Sequence, residues 1–186
     1  MGKIAKLISY LSDSNHFSKY LSIFRVFLCF HIFKKVYFIW GSQTLLFKKG
    51  VFFENKKIFI DYLGVNSNYI LENSSIFLFS IIITVILLLF GIGKKLTIVL
   101  LYLQIKILQE LTYPILNGGD NLMIFVLLYF IFSNSFDYLT VNKTREKHTK
   151  ISNIISNLAV YSICFHLGYV YFTSAIHKIH SDVWFN

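Results

Sequence analysis

The chain has 186 residues, 55% of them hydrophobic, a mean hydropathy of +0.60 and a net charge of +9. That apolar share argues against an ordinary soluble globular domain, which keeps its apolar residues in shorter, amphipathic runs. The basic residues sit between apolar runs rather than on one face, which argues against a phosphate-binding patch and a nucleic-acid partner.

The sequence opens on "MGKIAKLISYLSDSNHFSKY", mildly amphipathic and basic. It has no clean apolar core and no small-residue cleavage site, so a cleaved leader is not expected. Lys3, Lys6 and Lys19 suit a cytoplasmic surface helix or arm, assigned to residues 1–17. Five apolar segments follow, near the roughly 20 residues a helix needs to cross a bilayer. The first, 21–40, reads "LSIFRVFLCFHIFKKVYFIW" and carries Arg25, His31, Lys34 and Lys35. The second, 75–93, has no charge; the third, 96–116, contains Lys106 and Glu110. The fourth, 121–136, is uncharged but short, and the fifth, 151–176, holds only His166 besides tyrosines. Charges inside the first and third segments each cost about 2.5–3.5 kcal/mol on an insertion scale. The expected fold is therefore an all-α integral membrane protein, a bundle of about five transmembrane helices.

Orientation follows from the basic residues. With the N-terminus in the cytoplasm, nine lie on inner segments: Lys3, Lys6, Lys19, Lys94, Lys95, Lys143, Arg145, Lys147 and Lys150. Five lie on outer ones: Lys48, Lys49, Lys56, Lys57 and Lys178. The bias favours N-in. The outer loop over 41–74 is long enough to pack back on the membrane. Enrichment in Ile, Phe, Lys and Asn suggests an AT-rich microbial genome, and the expected location is the plasma membrane of a bacterium. Cys29 and Cys164 lie inside apolar runs with no metal-binding spacing and read as buried free thiols.

This topology gathers ionisable groups at the outer side. Lys106 and Glu110, four apart on one helix face, form an ion pair within the bundle or belong to a site. Lys34 and Lys35 snorkel to the headgroups or serve that site. "NGGDN", 117–121, is a tight outer turn in which Asp120 or Asn121 caps the next helix; alternatively its polar groups face a ligand. In the last segment His166, Val170, Thr173, His177 and His180 form one stripe. His166 reads as a hydrogen-bonded structural histidine. His177 and His180 lack an evident third metal ligand. Lys178, beside an apolar span, has the chemistry of a lysine whose amine can act as a base.

Three stretches carry a family resemblance: "LSIFRVFLCFHIFKKVYFIW", "PILNGGDNLMIFVLLYFIFSNSFDYL" and "YVYFTSAIHKIHSDVWFN". In order and spacing they resemble the horizontally transferred transmembrane (HTTM) domain, similar to the membrane part of vitamin K-dependent gamma-carboxylase. The resemblance runs from about residue 18 to the end of the chain, so 18–186 is read as an HTTM-like transmembrane domain. In that carboxylase the lysine of the last motif deprotonates reduced vitamin K. The oxygenated quinol then removes a glutamate γ-proton, and the carbanion takes up carbon dioxide. By motif position Lys178 matches that lysine and His177 the residue before it. Where the carboxylase has a histidine in its Asn-rich break, this chain has Gly118, Gly119 and Asp120.

The resemblance thus implies catalytic roles for Lys178, His177 and Asp120, and ligand contacts from Asn117, Asn121 and Tyr171. A reduced quinone is the cofactor it admits. Lipid and a peptide or membrane-protein partner, as in peptide-toxin maturation, are the partners it suggests. Two functions stay open at this point. One is a quinol-dependent membrane enzyme acting at the outer face; the other is a non-catalytic membrane protein that binds or escorts a partner. Because family members continue beyond the Lys-to-Trp motif, whereas this chain stops two residues after Trp184, it is expected to be the N-terminal part of a longer, or inactive truncated, member.

Overall fold

The computed structural model, which describes residues 3–47, 58–141 and 148–180, places one α-helix in each of the five apolar segments, though in the third, 96–116, the helix ends at Leu111 and a 3-10 turn over Tyr113–Ile115 follows. The basic stretches 48–57 and 142–147, and the ending that contains Trp184, lie outside the described residues. The N-terminal segment is a helix, α1 (Lys3–Asp13). The first apolar segment is α2 (Ser18–Gly41). The loop after it holds three short helices, α3 (Gln43–Leu46), α4 (Ile58–Tyr62) and α5 (Ser67–Glu72). Then come α6 (Ser74–Phe90), α7 (Lys94–Leu111), α8 (Gly118–Phe132) and α9 (Lys150–Ile179). Among the described residues there is no strand. One helix, α9, is long and apolar enough by length and composition to cross a membrane; α6 and α8 are apolar but shorter.

Four of the helices make an up-and-down ring. Successive neighbours α2, α6, α7 and α8 pack side by side. The ring closes between α8 and α2, where Phe24 meets Phe130 with ring centroids 5.7 Å apart and Lys35 pairs with Asp120. Each helix turns an i, i+3, i+4 stripe inward, as Leu28, Ile32, Val36 and Ile39 do on α2 and Leu101, Ile105 and Leu108 on α7. The interior is almost entirely Leu, Ile and Val, while the outer faces show large apolar side chains such as Phe27, Phe30, Phe33 and Tyr37.

The helix α9 lies outside this ring, packed on α8 and α1. Two contacts set its antiparallel register: His166 on Phe125, ring centroids 4.4 Å apart, and the Ser156 hydroxyl on the Asn134 N–H at 2.9 Å. This register places Thr173 level with the start of α8. At 1.5 Å per residue, Lys178 stands about 7 Å beyond that point.

At one end of the ring, Arg25 determines the structure. It is fully buried. Its guanidinium donates to the carbonyls of Ser135 (2.7 Å), Leu139 (2.5 Å) and Tyr138 (3.3 Å) and sits 4.9 Å from the Phe136 ring centre. The chain after α8 therefore wraps around one cation instead of continuing as helix. The expected fourth span over 121–136 accordingly ends at Phe132, and Leu139 is held at φ 55°, a left-handed value that a leucine adopts only under constraint. Asn157 and Asn153 on α9 donate to the carbonyls of Leu11, Ser14 and Ser12 at 2.9–3.1 Å. These bonds satisfy the C-terminal carbonyls of α1 and dock the basic segment against α9, so it is a packed helix rather than a loose arm. The α6–α7 turn closes the same end. Gly91, at φ 71°, forms a Schellman cap, and a Cβ there would lie 2.4 Å from the Thr140 side chain.

Candidate functional site

The opposite end of the ring is open. Between the second half of α2 and the turn leading into α8 lies a cleft of about 290 Å³. His31, Lys34, Lys35 and Phe38 reach it from α2, because residues spaced three and four apart share a helix face. Asn117, Gly119 and Asp120 reach it from the α8 turn, and Ile39, Ile115 and Leu116 supply apolar wall.

The start of α8 explains why Asp120 points where it does. Asn117 is the N-cap; its side-chain oxygen accepts from the Asp120 N–H at 3.0 Å, and the Asp120 carboxylate accepts from the Asn117 N–H at 3.1 Å. This is a capping box, which fixes the carboxylate beside the helix start. Its other oxygen takes the Lys35 ammonium in an ion pair whose partners are 15% and 12% exposed. Its backbone carbonyl accepts from Gln109 of α7 at 2.6 Å. Three helices thus position one carboxylate. Lys34 stands apart from that pair, 5.9 Å from the centre of the Phe38 ring.

Of the residues expected to act together, Asp120 and Asn117 meet in the cleft, with Asn117 as the cap and Asp120 as the third helical residue. Asn121 is exposed one position further along α8. Tyr171 (70% exposed), His177 and Lys178 are on the far part of α9, clear of the cleft lining. The resemblance implies that Lys178 and Asp120 act together, but Lys178 is not among the residues that line the cleft with Asp120. α9 packs on the outer side of α8, and its last turns project past the end of the bundle. Tyr171 and Phe172 on the same part of α9 are exposed.

The Lys106–Glu110 ion pair does not form. Glu110 instead accepts from the backbone N–H groups of Phe59 and Ile60, each at 3.0 Å, and so caps α4 and anchors the loop on α7. Two fixed N–H donors, one of them shared between both oxygens, match the carboxylate better than one flexible lysine a turn away. His166 lies against Phe125 and Tyr129, in ring contact on α8 rather than in the cleft. Cys29 is buried, as expected; Cys164, expected to be buried too, is exposed, because it lines an open groove between α2, α8 and α9.

Lys35 was readable only as a snorkelling lysine or a site residue, and its partner was not identified. The signal was the 31, 34, 35, 38 spacing, which puts two lysines, a histidine and an aromatic ring on one face of an apolar helix. Compared with known protein families, curated proteins and solved structures, the chain matches none.

Proposed function

We propose that this chain is a multi-pass membrane protein of a bacterial plasma membrane, crossing with α2, α6, α7, α8 and α9, its N-terminus in the cytoplasm. On this reading the Asp120 end faces outward, and its cleft binds the polar head of a small membrane-borne molecule. The bundle's character supports the membrane assignment. Its outer faces expose phenylalanine, tyrosine and isoleucine over most of their length, a surface that water does not favour but lipid does. Arg25 is buried and most other ionisable groups lie towards the two ends, as lipid requires, while His31 is exposed and His166 half-buried partway along their helices. At about 45 Å, α9 is longer than a hydrocarbon core of about 30 Å. The final turns with His177, Lys178 and His180 therefore stand in the headgroup layer, which accounts for charge at the end of an apolar helix.

The observation that carries the ligand reading is the oriented Lys35–Asp120 pair in a cleft with apolar walls. Such a pair offers both a donor and an acceptor to one polar head, while the walls take the rest. The HTTM resemblance supplies a catalytic version. There, a reduced quinone would be the ligand and Lys178 the base, with His177 and Asp120 beside it and Asn117, Asn121 and Tyr171 around the ring. The exposed face of Tyr169, Tyr171 and Phe172 on α9 favours a second reading, a non-catalytic protein that holds a peptide or membrane-protein partner.

Two measurements test these readings. In a background of Cys29→Ala and Cys164→Ala, a cysteine at Asn117 is expected to react with an impermeant reagent from outside, and one at Asn142 is not. The reverse pattern removes the orientation. Calorimetry with a short-chain quinol is expected to show binding that Asp120→Ala weakens and Lys178→Ala leaves intact. If Lys178 is the base, Lys178→Ala lowers quinol-dependent turnover by about 10²–10⁴-fold. Unchanged turnover leaves the non-catalytic reading.

A further inference from the structure

The same face of α2 that lines the cleft continues below it. Tyr20, Phe24, Phe27, His31, Lys34 and Phe38 step by four, three, four, three and four, the spacing of a single helical stripe. Its upper half, from His31, lines the cleft, and its lower half lines a groove of about 550 Å³. The groove's other walls are Leu122 and Val126 of α8 and Val160, Cys164 and Leu167 of α9, and no charged residue lines it. On α8 the stripe is continuous too: Gly119 belongs to the cleft, and Leu122 and Val126 belong to the groove. A polar slot and an apolar slot therefore share two helices and one register.

From this juxtaposition we infer that the cleft and groove together hold one single-chain acidic amphiphile, a long-chain carboxylate, with its head at Lys34 and its tail between α2, α8 and α9. The inference rests on the cleft reading above and names the ligand's class. Charge selects the head. Among the described residues that line the cleft, Lys34, Lys35 and His31 face a single carboxylate, Asp120, so one lysine charge exceeds it, which matches a monoanion. Length selects the tail. From Lys34 the groove begins at Phe27, about 10 Å down α2, and reaches Tyr20 at about 21 Å. The chain of one leaflet, half of a core of about 30 Å, spans about 15 Å, enough to enter the groove from a head held in the cleft.

The polarity of binding tests this. The full chain is placed in phosphatidylcholine nanodiscs and exposed to palmitate carrying a diazirine either beside the carboxylate or at the methyl end. The carboxyl-end probe is expected to label the segments around Lys34 and Asn117, and the methyl-end probe those around Phe24 and Cys164. Lys34→Gln is expected to reduce both by about tenfold. Cys164→Trp, with Leu167→Trp as a second way of filling the groove, is expected to reduce methyl-end labelling by about tenfold while butyrate still competes for the cleft. Reversed polarity, or labelling spread over all exposed faces as for bulk lipid, overturns the inference. Carboxyl-end labelling at Lys34 that ignores both groove-filling variants overturns the tail and leaves the cleft reading standing. No labelling at Lys34, and no competition by butyrate or by a quinol, overturns the cleft reading itself.

Discussion

The two ends of this bundle use polar residues in opposite ways. At the Arg25 end, polar atoms bond chiefly to other elements of the chain. Arg25 takes three carbonyls, Asn157 and Asn153 take the end of α1, and Asn134 bonds Ser152 and Ser156. Asp137 accepts from His148 at 2.6 Å and from Asn15 at 3.3 Å, which ties the turn after α8 to the start of α9 and to the α1–α2 turn. At the Asp120 end one carboxylate is anchored just as firmly, yet cationic and aromatic groups around it line an open cleft. The contrast is between polar groups that close a structure and polar groups held in place while part of their surroundings stays open. Clefts of about 330 Å³ and 310 Å³ open at the Arg25 end as well, but Asp137 and His148, which line both, bond each other, whereas the Asp120 cleft keeps Lys34 outside its ion pair.

The sharpest way to break the comparison is at Arg25. Arg25→Leu keeps bulk but leaves the carbonyls of Ser135, Tyr138 and Leu139 without their donor in a region shielded from water. Each unsatisfied group costs about 1–3 kcal/mol, with partial relief where the loop relaxes. The expected loss is about 2–5 kcal/mol, with protease cutting in 133–141 before any other segment. Unfolding in detergent measures the first, and limited proteolysis the second. A loss below about 1 kcal/mol would mean that this end is held by the Asn and Ser bonds alone.

Asp120→Ala should cost less, about 1–3 kcal/mol, because it strips one carboxylate from a lysine that can still reach water. The companion double variant, Lys35→Met with Asp120→Ala, removes both charges together. It is expected to recover part of that loss, and the non-additivity measures the pair. Full additivity would mean that Asp120 acts only as a capping residue.

How much of this was legible depends on how far apart the partners lie. The helices could be read from apolar runs, since each run forms one. Their ends could not, because they are set from a distance: α8 stops at Phe132 on account of Arg25, 110 residues from Ser135 along the chain. Lys35 and Asp120 are 85 residues apart, and no local pattern pairs them. Lys106 and Glu110 show the opposite failure. Their spacing of four permits a bond, but a short helix in the preceding loop, too brief to leave a periodic signal, offers Glu110 better donors. The motif that placed Lys178 in a site describes α9 alone, and the register of α9 on α8 decides where that lysine stands.

Asn117→Ala removes the acceptor for the Asp120 N–H and half of the capping box, and is expected to cost about 1 kcal/mol. It should also loosen the Asp120 carboxylate and so weaken quinol binding more than it lowers stability. Equal scaling of the two would make the cap purely structural.

The smallest effect is expected at Lys178. It is exposed on the last turn of α9, beyond the start of α8, where a contact made by a surface lysine contributes little, so Lys178→Ala should leave the unfolding midpoint nearly where it was. That near-silence makes it useful. At the Asp120 end, a substitution that changes chemistry also changes a cap or an ion pair, so activity and stability fall together. At Lys178 the two separate. Loss of quinol-dependent turnover with an unchanged midpoint would show that a residue outside the cleft lining reaches the reacting atoms. That requires α9 to approach the cleft when ligand is bound. Unchanged turnover and an unchanged midpoint would assign Lys178 to the headgroup layer and leave Lys35 and Asp120 as the polar groups that meet the ligand.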